Sequence, residues 1–464
     1  MQYSYISGRA GTSERLILIF AGWGMDARPF SELRRAGYDI AVVWDYRDCV
    51  LPADIVSGYK EICVIAWSMG VMAADGLLDS IPAVTLSVAV NGTTCPVDNS
   101  LGIPEAIFDG TLAGLSERTL EKFRMRMCGG AHAYAEFKPF APLRSFDELR
   151  DELEALGRIA KSRRSGGAFV WDHAIVSMGD AIFPPENQMA AWKDKARSLS
   201  VYRGPHMPSF QELLDHFVMN KEIVVRRFER STDSYRQHAV AQSEIADELA
   251  ALIRRCGLPS SPQILEIGCG TGLLSVSLGR LADESGGELE LWDIVDSRPI
   301  PGVPFRCVDA ETEIRDIPDG KYSLIASSST IQWFNSPARF IREAMRALRP
   351  GGLLALSTFA MGNLVEVAQA TGIFLPLMSE KDWRRTVDGL GEVLAIYTKR
   401  KILYFDNPVK VFRHLKNTGV NALSAKEPLL KSLDRYPREA DGSCRLTYLP
   451  IFILLRKNGK TQQT

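Results

Sequence analysis

Three residues far apart in the first half of this 464-residue chain, Ser68, Asp180 and His206, are of the types needed to open an acyl bond. A serine hydroxyl becomes a nucleophile when a base takes its proton, and a histidine base is held in the useful tautomer by a carboxylate. Ser68 stands in Ala66-Trp67-Ser68-Met69-Gly70, behind the apolar run 61–67 and ahead of the helical pattern Val71-Met72-Ala73-Ala74. A serine between strand and helix, with small residues two positions either side, reads as a nucleophile elbow, although Ala66 replaces the usual glycine. Asp180 follows an apolar strand in Gly179-Asp180-Ala181-Ile182-Phe183-Pro184, and His206 comes 26 residues later in Gly204-Pro205-His206-Met207-Pro208. That interval has room for one helix and one strand. The rivals Asp172 and His173 stand at the beginning of the strand expected at 173–178 rather than after it. An oxyanion needs two backbone N–H donors. Met69 supplies one, and Trp23 in Ala21-Gly22-Trp23-Gly24 the other.

A second constellation, Glu266-Ile267-Gly268-Cys269-Gly270-Thr271-Gly272, does different chemistry. Glycines after a strand let backbone approach a nucleotide-like ligand. Dinucleotide sites have G-x-G-x-x-G, whereas E-x-G-x-G-x-G is the form typical of S-adenosylmethionine enzymes. A sulfonium ligand has no pyrophosphate, so carboxylates should dominate its recognition, and Glu266 is expected to orient the loop and the cationic methionyl end. Asp293 ends the next strand, 21 residues past Gly272, where an acidic residue accepts from ribose hydroxyls, with Asp296 as the alternative. Asp309, beside Ala310 in Cys307-Val308-Asp309-Ala310-Glu311, is placed for an adenine amino group. A carboxylate methyl acceptor is already ionised at neutral pH. Alignment then suffices for its methylation, and no general base is nominated.

These residues need two α/β frames. Apolar runs at 16–20, 40–44, 61–67, 85–90 and 173–178 read as buried parallel strands, and a second set follows at 264–267, 288–292, 324–327 and 353–357. Within the first set, between 85–90 and 173–178, residues 104–167 are charge-rich amphipathic helix, expected as a lid. A polar helical stretch begins at Met219 and is broken by Cys256-Gly257-Leu258-Pro259. The expected domains are therefore 1–218 and 219–464, with no Gly/Ser- or Pro-rich linker.

With 46% hydrophobic residues, the chain can build two or three cores. The balance of 55 Lys+Arg against 56 Asp+Glu argues against broad nucleic-acid binding. No apolar run reaches membrane-spanning length, and residues 1–14 lack a secretory core. The eight cysteines are scattered without C-x-x-C or paired Cys/His spacing. A reduced, cytoplasmic, metal-free protein is expected.

Phe20-Ala21-Gly22-Trp23-Gly24-Met25, the Ser68 motif and Asp180-Ala181-Ile182-Phe183-Pro184-Pro185-Glu186-Asn187-Gln188 resemble pimeloyl-carrier-protein methyl ester esterases of biotin synthesis. Tyr235-Arg236-Gln237-His238-Ala239, Ser329-Thr330-Ile331-Gln332-Trp333-Phe334 and His414-Leu415-Lys416-Asn417 resemble malonyl-carrier-protein O-methyltransferases; Ser323 stands where that family commonly has Asp. The resemblance implies an N-terminal α/β-hydrolase fold with a helical lid and a C-terminal Rossmann-like class I S-adenosylmethionine methyltransferase fold. It implies a methyl put on a malonyl carboxylate, on acyl carrier protein or coenzyme A, and later removed from the pimeloyl product. Tyr235 is expected to cap the cofactor or substrate pocket, and His414 and Lys416 to touch the substrate or its phosphopantetheine. Acidic carriers need a basic partner surface. Residues 117–164 hold 11 Lys/Arg against 8 Asp/Glu, and Lys161, Arg163 and Arg164 are the candidate docking cations. A generic esterase fused to a small-molecule O-methyltransferase, or one inactive scaffold domain, are the alternatives.

Overall fold

A computed structural model of the chain describes residues 1–7, 13–163, 167, 169–372, 375–418 and 433–459. The chain divides into two compact units, Met1–Val218 and Met219–Thr464. Among the described residues no helix is long and apolar enough to cross a membrane.

The first unit is built on seven strands: β1 (Gln2–Ser7), β2 (Arg15–Phe20), β3 (Asp39–Trp44), β4 (Glu61–Trp67), β5 (Val84–Val90), β6 (Trp171–Ser177) and β7 (Ala196–Tyr202). Their order is β1-β3-β2-β4-β5-β6-β7, with only β1 antiparallel to its neighbour. The central strands are aliphatic and β-branched because helices cover both faces, so both side-chain rows are buried. The chain leaves β2 toward β3 and returns to β4 on the other side. Such a switch point opens a crevice at the carboxyl ends of two adjacent strands. Here these are β2 and β4, with Phe20 paired to Ala66.

Helices Glu105–Ala113, Glu117–Cys128, Ala131–Phe137 and Phe146–Ser162 lie between β5 and β6. Ser116 and Ser145 start two of them with capping boxes, which satisfy otherwise orphaned first-turn N–H groups. The last helix buries Leu149, Leu153, Leu156 and Ala160 in the sheet's own hydrophobic core. It is a structural layer, which corrects the expectation that the whole of 104–167 is a lid. Strand β6 also begins earlier than expected, so Asp172 and His173 lie inside it. Asp172 accepts bonds from the Ser87 N–H and hydroxyl, both 2.9 Å, and ties β6 to β5.

The second unit opens with helices Lys221–His238 and Val240–Cys256. Its strands are β8 (Gln263–Ile267), β9 (Glu288–Asp293), β10 (Phe305–Cys307), β11 (Tyr322–Ser328), β12 (Leu348–Phe359), β13 (Glu392–Thr398), β14 (Lys401–Phe405), β15 (Cys444–Tyr448) and β16 (Pro450–Arg456). The main sheet runs β10-β9-β8-β11-β12-β16-β13, with β16 antiparallel to both neighbours, while β14 and β15 form a separate pair. Its switch point lies between β8 and β11. Ser323 secures the start of β11: its hydroxyl accepts the Gln263 N–H at 2.8 Å, joining β11 to β8.

Candidate active sites

Ser68 follows β4 with φ at 59°, a left-handed conformation that a non-glycine residue holds only under constraint. The helix Gly70–Asp75 leaves immediately. A Cβ at Gly70 would overlap the carbonyl oxygens of Phe20 and Ala21, so glycine is required by close approach of β2. His206 Nε2 lies 2.9 Å from Ser68 Oγ, and His206 Nδ1 lies 2.8 Å from Asp180 Oδ2. Asp180 is held from three directions. Its Oδ1 accepts from the Ile182 and Phe183 N–H groups, and its Oδ2 from the Gln188 side-chain amide. The imidazole stacks on Phe183, with ring planes 4° apart. These contacts fix the ring so that one nitrogen faces the hydroxyl and the other the carboxylate.

Trp23 and Met69 line the same cleft as Ser68 and His206. Among the described residues neither backbone N–H is spent on an internal acceptor, leaving both available to an oxyanion. The loop carrying Trp23 is tied to helix Phe146–Ser162. The Trp23 indole donates to the Leu149 carbonyl at 2.8 Å, and buried Glu152 accepts from the Tyr46 N–H at 3.1 Å and the Gly24 N–H at 3.4 Å. Arg144 pairs with Glu152 at 2.5 Å and also donates to the Met25 carbonyl. Gln188 ends the Asp180–Gln188 segment that carries the resemblance, although its bond to Asp180 is not legible there, and Glu152 carries no motif at all. The remaining cleft wall is largely apolar, with Ile107, Phe108, Phe123 and Leu153 beside the polar Thr111 and Arg126, and suits an alkyl chain.

In the second unit a cavity sits at the carboxyl ends of β8, β9 and β11. Glu266, Gly268, Gly270, Asp293, Asp309, Ala310 and Tyr235 all line it. Gly268, Gly270 and Gly272 have φ of 70°, 50° and 89°. A Cβ at Gly268 would overlap the Thr330 side chain. Gly272, with Pro299 beside it, is not itself a lining residue, although Thr271 and Leu273 on either side are.

Glu266 is buried and its Oε2 has no hydrogen-bond partner among the described residues. Burial, with Asp293 nearby, pushes its carboxyl up to about 8. A buried, unsatisfied carboxyl fits a cationic ligand such as S-adenosylmethionine, which would stabilise its ionised form. Asp293 accepts the Gly270 N–H at 2.7 Å through Oδ2 and the Val295 N–H at 2.8 Å through Oδ1. It therefore braces the glycine loop and keeps spare acceptor capacity for hydroxyl groups. Asp296 instead pairs with Arg298 at 2.7 Å on the surface.

Asp309 lines the cavity and is bonded at 2.7 Å to Lys221, which is itself 2.7 Å from Glu311, so its carboxylate is shared with a buried lysine that lines the cavity too. One expectation needs correction. His414 does not line the cavity. It is buried against Phe405, 2.9 Å from the Tyr448 hydroxyl, and burial lowers it to about 4. Lys416 lies on the exposed side of the same helix, Pro408–Asn417. Of the docking cations, Lys161 is exposed on the surface. Lys161 pairs with Asp109 at 2.7 Å. Arg163 folds inward, donating to the Met72 carbonyl at 2.9 Å over the helix that follows Ser68. Arg164 lies outside the described residues. A run of like charges reveals nothing about partners brought from distant helices.

Residues 1–212 match the family "Pimeloyl-ACP methyl esterase BioG", and residues 238–391 match "Methyltransferase domain". The second unit accordingly has the class I Rossmann-like methyltransferase fold, and the family uses S-adenosylmethionine. A malonyl-[acyl-carrier protein] O-methyltransferase of Bacteroides fragilis is 35% identical over 97% of this chain and 95% of its own. One of Bacteroides thetaiotaomicron is 33% identical over 52% of this chain and 99% of its own. The crystal structure of BioG from Haemophilus influenzae is 37% identical, covering 44% of this chain and 94% of its own with a TM-score of 0.42. The near full-length identity and the two family matches lead to one assignment: the chain belongs to the malonyl-[acyl-carrier protein] O-methyltransferases, in the form that joins a BioG-type methyl esterase to the methyltransferase.

Proposed function

We propose that this chain methylates the free carboxylate of a malonyl thioester, on acyl carrier protein or coenzyme A, and later hydrolyses pimeloyl-carrier-protein methyl ester to pimeloyl-carrier protein and methanol. The observation that carries this reading is one chain holding a Ser68–His206–Asp180 relay at 2.9 and 2.8 Å and a glycine-loop cavity with a buried, unpartnered carboxyl. The masked carboxylate is uncharged, so chain-extending enzymes can treat the thioester as an ordinary acyl chain until the esterase unmasks it.

In the esterase half, an α/β-hydrolase fold is supported by the parallel strand order and the strained serine after β4. His206 takes the Ser68 proton as Oγ attacks the ester carbonyl, then returns it to the departing methoxide, releasing methanol. Water, activated by the same imidazole, hydrolyses the acyl-serine. Asp180 steadies the imidazolium, and the Trp23 and Met69 N–H groups bind the oxyanion.

In the other half, S-adenosylmethionine supplies a methyl group carried on a sulfonium. Glu266 would hold the cationic amino-acid end, Asp293 the ribose hydroxyls and the loop 268–272 the backbone approach. A carboxylate acceptor needs no base.

The test is mass spectrometry of pimeloyl-carrier-protein methyl ester incubated with the wild-type protein and with Ser68→Ala. Loss of one methyl group with wild type alone is expected. Failure on this substrate with turnover of small esters would favour a generic carboxylesterase.

A further inference from the structure

The second unit contains another cavity that nothing above assigns. It adjoins the glycine-loop cavity, and five residues line both: Phe228, Tyr235, Gln242, Ser329 and Trp333. Its far wall is largely apolar, with Phe359, Leu364, Val367 and Leu377, and among the described residues no charged side chain lines it. Most of its polar groups are occupied. Gln332 donates to the Ser329 carbonyl and accepts from Thr358, the Asn363 side-chain oxygen accepts the Leu449 N–H, the Thr418 hydroxyl donates to the His414 carbonyl, and Tyr448 bonds His414.

Two donors differ. The Ser329 hydroxyl and the Trp333 indole N–H are buried without a hydrogen-bond partner among the described residues. A buried, unmade hydrogen bond is costly, and in native proteins it calls for an explanation such as an absent ligand. Ser329 also has φ at 53°, strain of the kind kept at functional sites. Both residues follow β11, at the seam between the two cavities.

We propose that the Ser329 hydroxyl and the Trp333 indole N–H are the carboxylate-binding donors of the methyl-acceptor site, holding one acceptor oxygen at the seam while the thioester chain lies along the apolar wall. This rests on the malonyl-thioester reading above. Neutral donors suit the task. A guanidinium would bind the carboxylate tightly and dampen its nucleophilicity, whereas two neutral N–H/O–H groups orient it and leave its electron pairs available. After methylation the neutral ester loses its charge-assisted bonds and has less reason to stay.

The experiment measures methyl transfer to malonyl-coenzyme A by wild type, Ser329→Ala and Trp333→Phe, alongside S-adenosylmethionine affinity. Inhibition by the neutral carboxamide analogue of the thioester is measured in parallel. Each substitution is expected to lower acceptor kcat/KM on the order of tenfold to a hundredfold, with cofactor affinity changed less than about threefold. The preference for carboxylate over carboxamide should shrink in both variants, which a merely structural role would not produce. Unchanged kcat/KM, unchanged preference, or a parallel loss of cofactor affinity would overturn the assignment. No methylation of malonyl-coenzyme A or malonyl-carrier protein by wild type would instead remove the reading on which the assignment rests, and the assignment with it.

Discussion

Glu266 shows how one buried side chain can couple ligand binding to protonation. Its folded value of about 8 exceeds its ordinary 4.5, so the folded apoprotein holds this proton more tightly than the unfolded chain. The resulting stabilisation is complete below the ordinary value and is lost as pH rises toward about 8. A cationic cofactor favours the ionised form. S-adenosylmethionine binding at pH 7 is therefore expected to release close to one proton, and affinity to rise between pH 6.5 and 8.5. Glu266→Gln should abolish the release and flatten the pH dependence. Calorimetry in buffers of different ionisation enthalpy measures both. Proton release unaltered by the substitution would place the titrating group elsewhere.

Among the elements, helix Phe146–Ser162 does the least expected work. Its Leu153 lines the cleft that holds Ser68. Its Glu152 and Leu149 hold the loop that presents the Trp23 N–H, and Arg144, which is 6% exposed, completes a buried pair. Breaking a buried pair from one side leaves an uncompensated charge and costs about 3–5 kcal/mol. Glu152→Gln is expected to lower the melting temperature and to reduce esterase kcat roughly tenfold, as loss of aim on one oxyanion donor should. KM should stay near wild type, because the apolar acyl wall is untouched. A variant destabilised but with full kcat would show that the strap serves stability alone. Deleting Glu105–Cys128 would be uninformative by comparison, since that segment contributes cleft wall and core together.

At the scale of the whole molecule, both units place their chemistry at the carboxyl ends of strands beside a switch point, β2/β4 in one and β8/β11 in the other. The two activities draw on separate residue sets. Ser68→Ala should therefore abolish ester hydrolysis and leave methyl transfer within about twofold of wild type, measured on the intact chain by mass spectrometry. The combination also demands discrimination, because a malonyl methyl ester must survive the esterase. About four extra methylenes in the pimeloyl chain, at ~0.8 kcal/mol each, set a ceiling of about 3 kcal/mol, or on the order of a hundredfold. The apolar cleft around Ser68 can supply that much, and reach from the carrier must supply the rest. The pimeloyl ester is thus expected to exceed the malonyl ester by more than a hundredfold in kcat/KM. Comparable turnover would show that the fusion controls timing some other way.

What the amino-acid order determined by itself was local and periodic. Fully buried parallel strands read as unbroken aliphatic runs, a strained serine needs small neighbours, and a glycine loop advertises its ligand through spacing. Those signals located Ser68, the E-x-G-x-G-x-G loop, Asp293 and the central strands of both sheets. Tertiary structure alone decided which distant groups meet. Glu152 reaches the Gly24 loop, Lys221 occupies Asp309, Arg163 folds over the helix after Ser68, and His414 turns into the core instead of the cavity. Each outcome depends on burial and pairing between elements far apart in the chain. A charged or polar residue type is the same in sequence whether its partner is water, a ligand or another side chain. The unpartnered donors of Ser329 and Trp333 belong to that class too, because an unsatisfied hydrogen bond exists only once everything around it has been packed.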